Sequence, residues 1–120
     1  MKKISFAIAF SFLLSFAGHG QSCNNLPDKF YSYSQAIEAI QNATFKSTDK
    51  LPYGKSSWIT SATYYSCNGY IGYLVYTTDK GKEYVHENIP IRVWTEFKNA
   101  SSSGSYYVNN IKGRYRLVPE

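Results

Sequence analysis

Beyond its first twenty residues the chain carries one histidine, His86, and two cysteines, Cys23 and Cys67; all 8 of its carboxylates also lie there. These residues decide which chemistries are open. A metal site needs several converging ligands, so a single histidine with two scattered cysteines is a poor ligand set. Cys67 and His86 could form a nucleophilic pair across neighbouring strands, but such a pair also needs an orienting third group and an oxyanion site, and neither is signalled. Glu83 and Glu87 share one strand face, yet their spacing supplies nothing to raise either pKa as an acid catalyst requires. No glycine-rich phosphate loop is present. The residues argue for no enzyme and no cofactor, with a small thiol enzyme using Cys67 and His86 as the catalytic alternative.

A binding constellation remains. On one strand Tyr84 and His86 point to one face, while Glu83, Val85 and Glu87 point to the other. Near the C-terminus Lys112, Arg114 and Arg116 alternate with Gly113 and Tyr115. Rings interleaved with cations suit a single-stranded nucleic acid, whose bases stack while its phosphates meet the cations. They suit a glycan polymer or an acidic protein surface equally well. The candidate binding residues are Tyr84, His86, Lys112, Arg114 and Tyr115, on a shared surface if the tail returns across the sheet.

The elements that must position them follow from pattern. Residues 21–30 are polar and read as an irregular arm. Ala36, Ile37 and Ile40 recur at helical spacing over 34–43, with Ser34 placed to cap the first turn. Lys, Ser, Pro and Gly gather over 46–57 as a linker loop. Two β-like runs, 58–65 and 70–77, flank an Asn68-Gly69 step that accepts positive φ at low cost and signals a hairpin. A turn at Asp79-Lys80-Gly81 leads to a third strand, 82–87. Pro90 then presets φ for a helix whose apolar stripe is Val93, Trp94, Phe97 and Ala100. A shorter helical segment, about 105–112, sets Tyr107 one turn from Ile111. Trp94, Phe97, Tyr107 and Ile111 are expected to pack inward. The fold class is α+β: a three-strand antiparallel meander packed by a C-terminal helix and a shorter helical segment, with an N-terminal helix.

Several of these stretches resemble one family in their order along the chain. Tyr84-Val85-His86 stands shortly before Ile89-Pro90 and its helix, and a small-residue break leads into Gly104, Tyr106, Tyr107, Asn110 and Ile111. Together, residues 58–115 resemble the KTSC domain, a small module named for its place at the C-terminus of some lysyl-tRNA synthetases. His86 departs from the family's usual second tyrosine; it keeps a flat polar ring and adds a proton that titrates near neutrality. The resemblance implies the fold just described and, for function, the suspected role of that family in RNA binding.

The N-terminus sets the compartment. Lys2 and Lys3 precede a short apolar run from Ile4 to Ala17, and Gly18 and Gly20 suit signal-peptidase cleavage before Gln21. The run is shorter than the roughly 20 apolar residues of a transmembrane helix. This divides the chain into a signal peptide (1–20), an arm, helix and linker (21–57) and a KTSC-like domain (58–120). The leader looks bacterial, so the sequons at Asn42 and Asn99 read as chance. Cleavage removes two lysines and lowers the formal charge from +5 to +3, short of the dense basic stripe of a strong phosphate-backbone binder.

In an oxidising compartment Cys23 and Cys67 can form one disulfide, worth about 3–4 kcal/mol in the chain-entropy model. A lipidated Cys23 and two free thiols are the alternatives. The sequence therefore describes an exported monomer, secreted or periplasmic, with no membrane span in the mature chain. It binds a protein or a cell-envelope polymer, and nucleic acid is disfavoured by export.

Overall fold

Runs rich in tyrosine and β-branched residues build the centre of the molecule. In the computed structural model, which describes residues 21–120, they form β2 (Ile59–Ser66), β3 (Ile71–Thr78) and β4 (Glu83–Pro90). The leader expected over 1–20 lies outside the described residues. The turns behave as their chemistry dictates: Gly69 and Gly81 sit at φ 88° and 81°, where a side chain would be strained. Asn68 Oδ1 accepts from the backbone N–H groups of Tyr70 and Ile71 at 2.8 and 3.1 Å, closing the first turn. Pairing is antiparallel throughout and places Tyr76 opposite Tyr84.

Residues 46–57, expected as a linker loop, contain a fourth strand, β1 (Ser47–Lys50). The sheet order is β1-β2-β3-β4, so the meander has four strands and not three. Its Ser-Thr-Asp-Lys sequence has no apolar alternation to mark a strand. It is held by register with β2, from Ser47↔Ser66 to Lys50↔Thr63. A tertiary clamp adds to this: Asp49 Oδ2 accepts from Trp94 Nε1 at 2.8 Å and from Lys98 Nζ at 2.9 Å.

Helices cover both faces of the sheet. Helix α1 (Tyr33–Asn42) packs Ala36, Ile37 and Ile40 with Phe30, Val75, Val85 and Val118. Its cap is Ser32, whose Oγ accepts from Gln35 N at 3.0 Å, and not Ser34 as expected. Gln35 in turn accepts from the Tyr31 N–H at 2.6 Å, a close relative of the reciprocal capping box. On the opposite face α2 (Ile91–Asn99) and α3 (Ser103–Asn110) set Val93, Trp94, Phe97 and Tyr107, with Ile111, against Ile59, Tyr64, Leu74, Tyr76 and Ile89.

An irregularity in β4 makes this second core possible. Leu74 pairs with His86 but Gly72 with Ile89, so β4 carries an extra residue there, and Asn88 adopts φ 57°. The bulge turns Ile89 onto the same face as His86. Gly72 has no room for a Cβ, which would collide with the Tyr65 carbonyl across the strand pair. The arm is fastened separately: Cys23 and Cys67 are joined in a disulfide, and Ser22 bridges Thr44.

Candidate functional site

Gly113, at φ 78°, reverses the chain after α3 and sends the tail back along the outer edge of β4. Glu87 N donates to Arg116 O at 3.0 Å and Val118 N to Val85 O at 2.9 Å, with His86 and Leu117 in an antiparallel bridge. The tail thereby satisfies part of an exposed edge, which otherwise presents unpaired N–H and C=O groups. Between the tail, α3 and the β3–β4 rings lies a cleft of about 720 Å³, lined among others by Tyr84, His86, Lys112, Arg114 and Tyr115. The five residues singled out from the sequence thus meet in one place.

The floor of the cleft is a cluster of rings. Tyr76 lies 4.8 Å from Tyr107, 5.4 Å from Tyr84 and 6.1 Å from His86, nearly parallel to the last, and Trp58 stands edge-on to Tyr107 at 5.7 Å. A hydrogen-bonded chain runs through it. His86 Nδ1 is 3.0 Å from the Tyr115 carbonyl and Nε2 is 2.8 Å from the Tyr107 hydroxyl. A carbonyl only accepts, so Nδ1 carries the proton, and in the neutral ring Nε2 must accept from Tyr107 O–H. The Tyr107 oxygen then accepts from Tyr76 O–H at 2.7 Å. Every donor in the chain has an acceptor.

Burial fixes the protonation states. His86 is 1% exposed, and desolvation holds its pKa below the ordinary histidine value, against the raising effect of its backbone contacts with the tail. The same desolvation raises both hydroxyls: Tyr76 is pushed well up, further because it donates to Tyr107, while Tyr107 is raised against the lowering effect of the bond it accepts from Tyr76. The floor is therefore uncharged at neutral pH. His86 is not the exposed, titrating surface ring expected from the sequence; it is sealed beneath the cleft by the tail, and its first consequence is structural.

The charge sits at the rim. Arg116 is committed to Glu87 at 3.7 Å and Glu120 at 3.6 Å. Lys112 and Arg114 are exposed and have no ion-pair partner among the described residues. The Cys67–His86 nucleophile is not assembled: Cys67 is bonded to Cys23, and both His86 nitrogens are taken by Tyr107 and Tyr115. Glu87 is an ion-pair partner of Arg116 rather than one of a carboxylate pair with Glu83. No group of three or more potential metal ligands occurs among the described residues, and none of the described helices is long and apolar enough to cross a membrane.

Sequence reasoning left Trp58, Tyr76, Val108 and Glu120 out of the site, and read Tyr107 as core alone. Tyr76 was within reach. The Asp79-Lys80-Gly81 turn fixes the β3–β4 register, and that register puts Tyr76 beside Tyr84. Trp58 and Val108 gave no such signal, since they arrive through the packing of α3.

Sheet, helices and tail define a small α+β module with a ring-floored cleft under its C-terminal strap. Residues 55–115 match the model of the KTSC domain, and the chain belongs to that family. The crystal structure of a KTSC domain protein from Yersinia pestis is similar to it, with a TM-score of 0.50 at 24% identity over 59% of this chain and 94% of that chain. No curated protein matches the chain.

Proposed function

We propose that this KTSC protein is an exported, non-enzymatic binding module that holds a protein or cell-envelope partner in the cleft between β4, α3 and the tail. The observation that carries the reading is the convergence of Tyr84, Tyr115, Lys112 and Arg114 on one ring-floored cleft. Pockets of roughly 300–1,000 Å³ that are mainly apolar, with a few placed polar groups, are the usual form of a ligand site. A binding role rather than catalysis is supported by the floor itself. The only imidazole there is neutral with both nitrogens engaged, so it offers no free base.

Export is supported by the basic start, short apolar run and small residues of 1–20, and by a disulfide, which persists in oxidising compartments. N-terminal sequencing of the native protein should begin at Gln21. Pull-down from envelope extracts should capture a partner with the wild type and lose it with Lys112→Glu/Arg114→Glu. An intact Met1 in a cytoplasmic fraction removes the export assignment, and equal capture by the double variant removes the cleft. Stacked rings beside two unpaired cations also favour a second reading, binding of single-stranded nucleic acid. A steep loss of affinity for single strands with added salt would single it out.

A further inference from the structure

At the centre of the cleft floor the polar atoms of Tyr76, Tyr107 and His86 are already spent on one another. Tyr76 donates to Tyr107, Tyr107 to His86, and His86 to the Tyr115 carbonyl, which leaves these three side chains no free donor and sets them beside the rings of Trp58 and Tyr84. Such a surface rewards a body that lies flat against it and gives nothing to a group that needs polar partners. The free polar groups stand around this centre. The Tyr84 and Tyr115 hydroxyls have no hydrogen-bond partner among the described residues, and neither do the side chains of Lys112 and Arg114, while Arg116 is held by Glu87 and Glu120.

The charge count sets the second half of the ligand. Two uncommitted cations, Lys112 and Arg114, line the cleft, and a carboxylate, Glu120, lines it as well. That arrangement neutralises one anionic group and opposes a long run of them, which needs a continuous basic track. A cleft of about 720 Å³ accommodates a ring with its substituents.

We propose that the cleft takes a single anionic group carried on a ring, the ring lying on the tyrosine floor and the anion reaching Lys112 and Arg114. This rests on the binding function above and names the unit of the partner that the cleft recognises. An aromatic ring and a sugar ring meet the same requirement, since both present a flat apolar face.

The test is calorimetric titration of the mature chain with phenyl phosphate, glucose 1-phosphate and inorganic phosphate. At least one ring phosphate should bind about tenfold or more tightly than inorganic phosphate, as expected of a stacking contact. Which of the two does so distinguishes an aromatic from a sugar source. Lys112→Ala/Arg114→Ala should weaken that binding by about tenfold, two exposed charges each contributing modestly, and Lys46→Ala, on a distant surface, should not change it. Ring phosphates binding no better than inorganic phosphate, or equally well to the double variant, would overturn the proposal. So would a thymidine oligonucleotide bound more tightly than either, with a salt slope steeper than two charges allow. If the ring phosphates fail while envelope capture still depends on Lys112 and Arg114, only this inference falls. If capture itself ignores the cleft, the binding function falls with it.

Discussion

At the scale of single residues, Tyr107 is the pivot of the site. Its hydroxyl donates to His86 and accepts from Tyr76, so Tyr107→Phe strands two buried polar groups at once. Each such group costs about 1–3 kcal/mol, and the variant should lose about 2–4 kcal/mol in chemical denaturation. Tyr76→Phe removes only the outer donor and should cost about 1 kcal/mol; the reverse order would contradict Tyr107 as the shared partner of both bonds. His86 gives a separate pH signature. Burial lowers its folded-state pKa, so the unfolded chain takes up the proton first, near pH 6.5. The stability present above that pH should fall as the solution is acidified towards the folded-state value. Asp49, held down by its bonds to Lys98 and Trp94, loses its contribution only below about pH 4, as its carboxylate protonates. Urea midpoints between pH 7.5 and 5.5 should therefore drop for the wild type and stay nearly level for His86→Gln, which retains a donor and an acceptor.

At the scale of elements, the stripe on α2 holds the site-bearing face together. Trp94 is 2% exposed and Phe97 fully buried. Trp94 stacks on Tyr64 at 5.4 Å with its plane tilted only 11°, and its indole N–H clamps β1 through Asp49. Replacing either residue by Ala should cost about 3–5 kcal/mol, with Trp94→Ala also loosening β1. Hydrogen exchange over 47–50 checks the second effect, and a loss below about 1 kcal/mol at both positions would contradict the packing described. The bulge at Asn88 and the turn at Gly113 have subtler roles. One brings Ile89 beneath α2, and the other aims Lys112, Arg114 and Tyr115 at the cleft. Of these elements the long strands and α2 were legible in the sequence because each buries a repeating apolar pattern. β1 was not, because its four polar residues gain their strand geometry from β2 and from Asp49's partners.

At the scale of the whole molecule, the Cys23–Cys67 link spans 44 positions of sequence and staples the arm to the β2–β3 turn. In the chain-entropy model, closing a loop of that length is worth about 4 kcal/mol. Cys23→Ser/Cys67→Ser should lose roughly that much and free the arm, read out by denaturation and by proteolysis before Leu26. A much smaller loss would show that the Ser22–Thr44 bridge alone suffices to hold the arm.

Local chemistry determined what the sequence could determine. Asn68-Gly69 and Gly81 set the hairpins, Pro90 set the start of α2, and spacing set which aromatics face inward, since each of these depends on a few neighbouring residues. The order of motifs was enough to identify the family. The tertiary structure alone decided that the tail returns along β4, that Tyr76 and Tyr107 join His86 in one hydrogen-bonded floor, and that His86 is sealed and neutral rather than exposed and titrating. Those outcomes depend on residues 21 to 31 positions apart meeting in a desolvated space. Desolvation, which fixes both the partners and the charge of a polar group, is a property of the assembled fold.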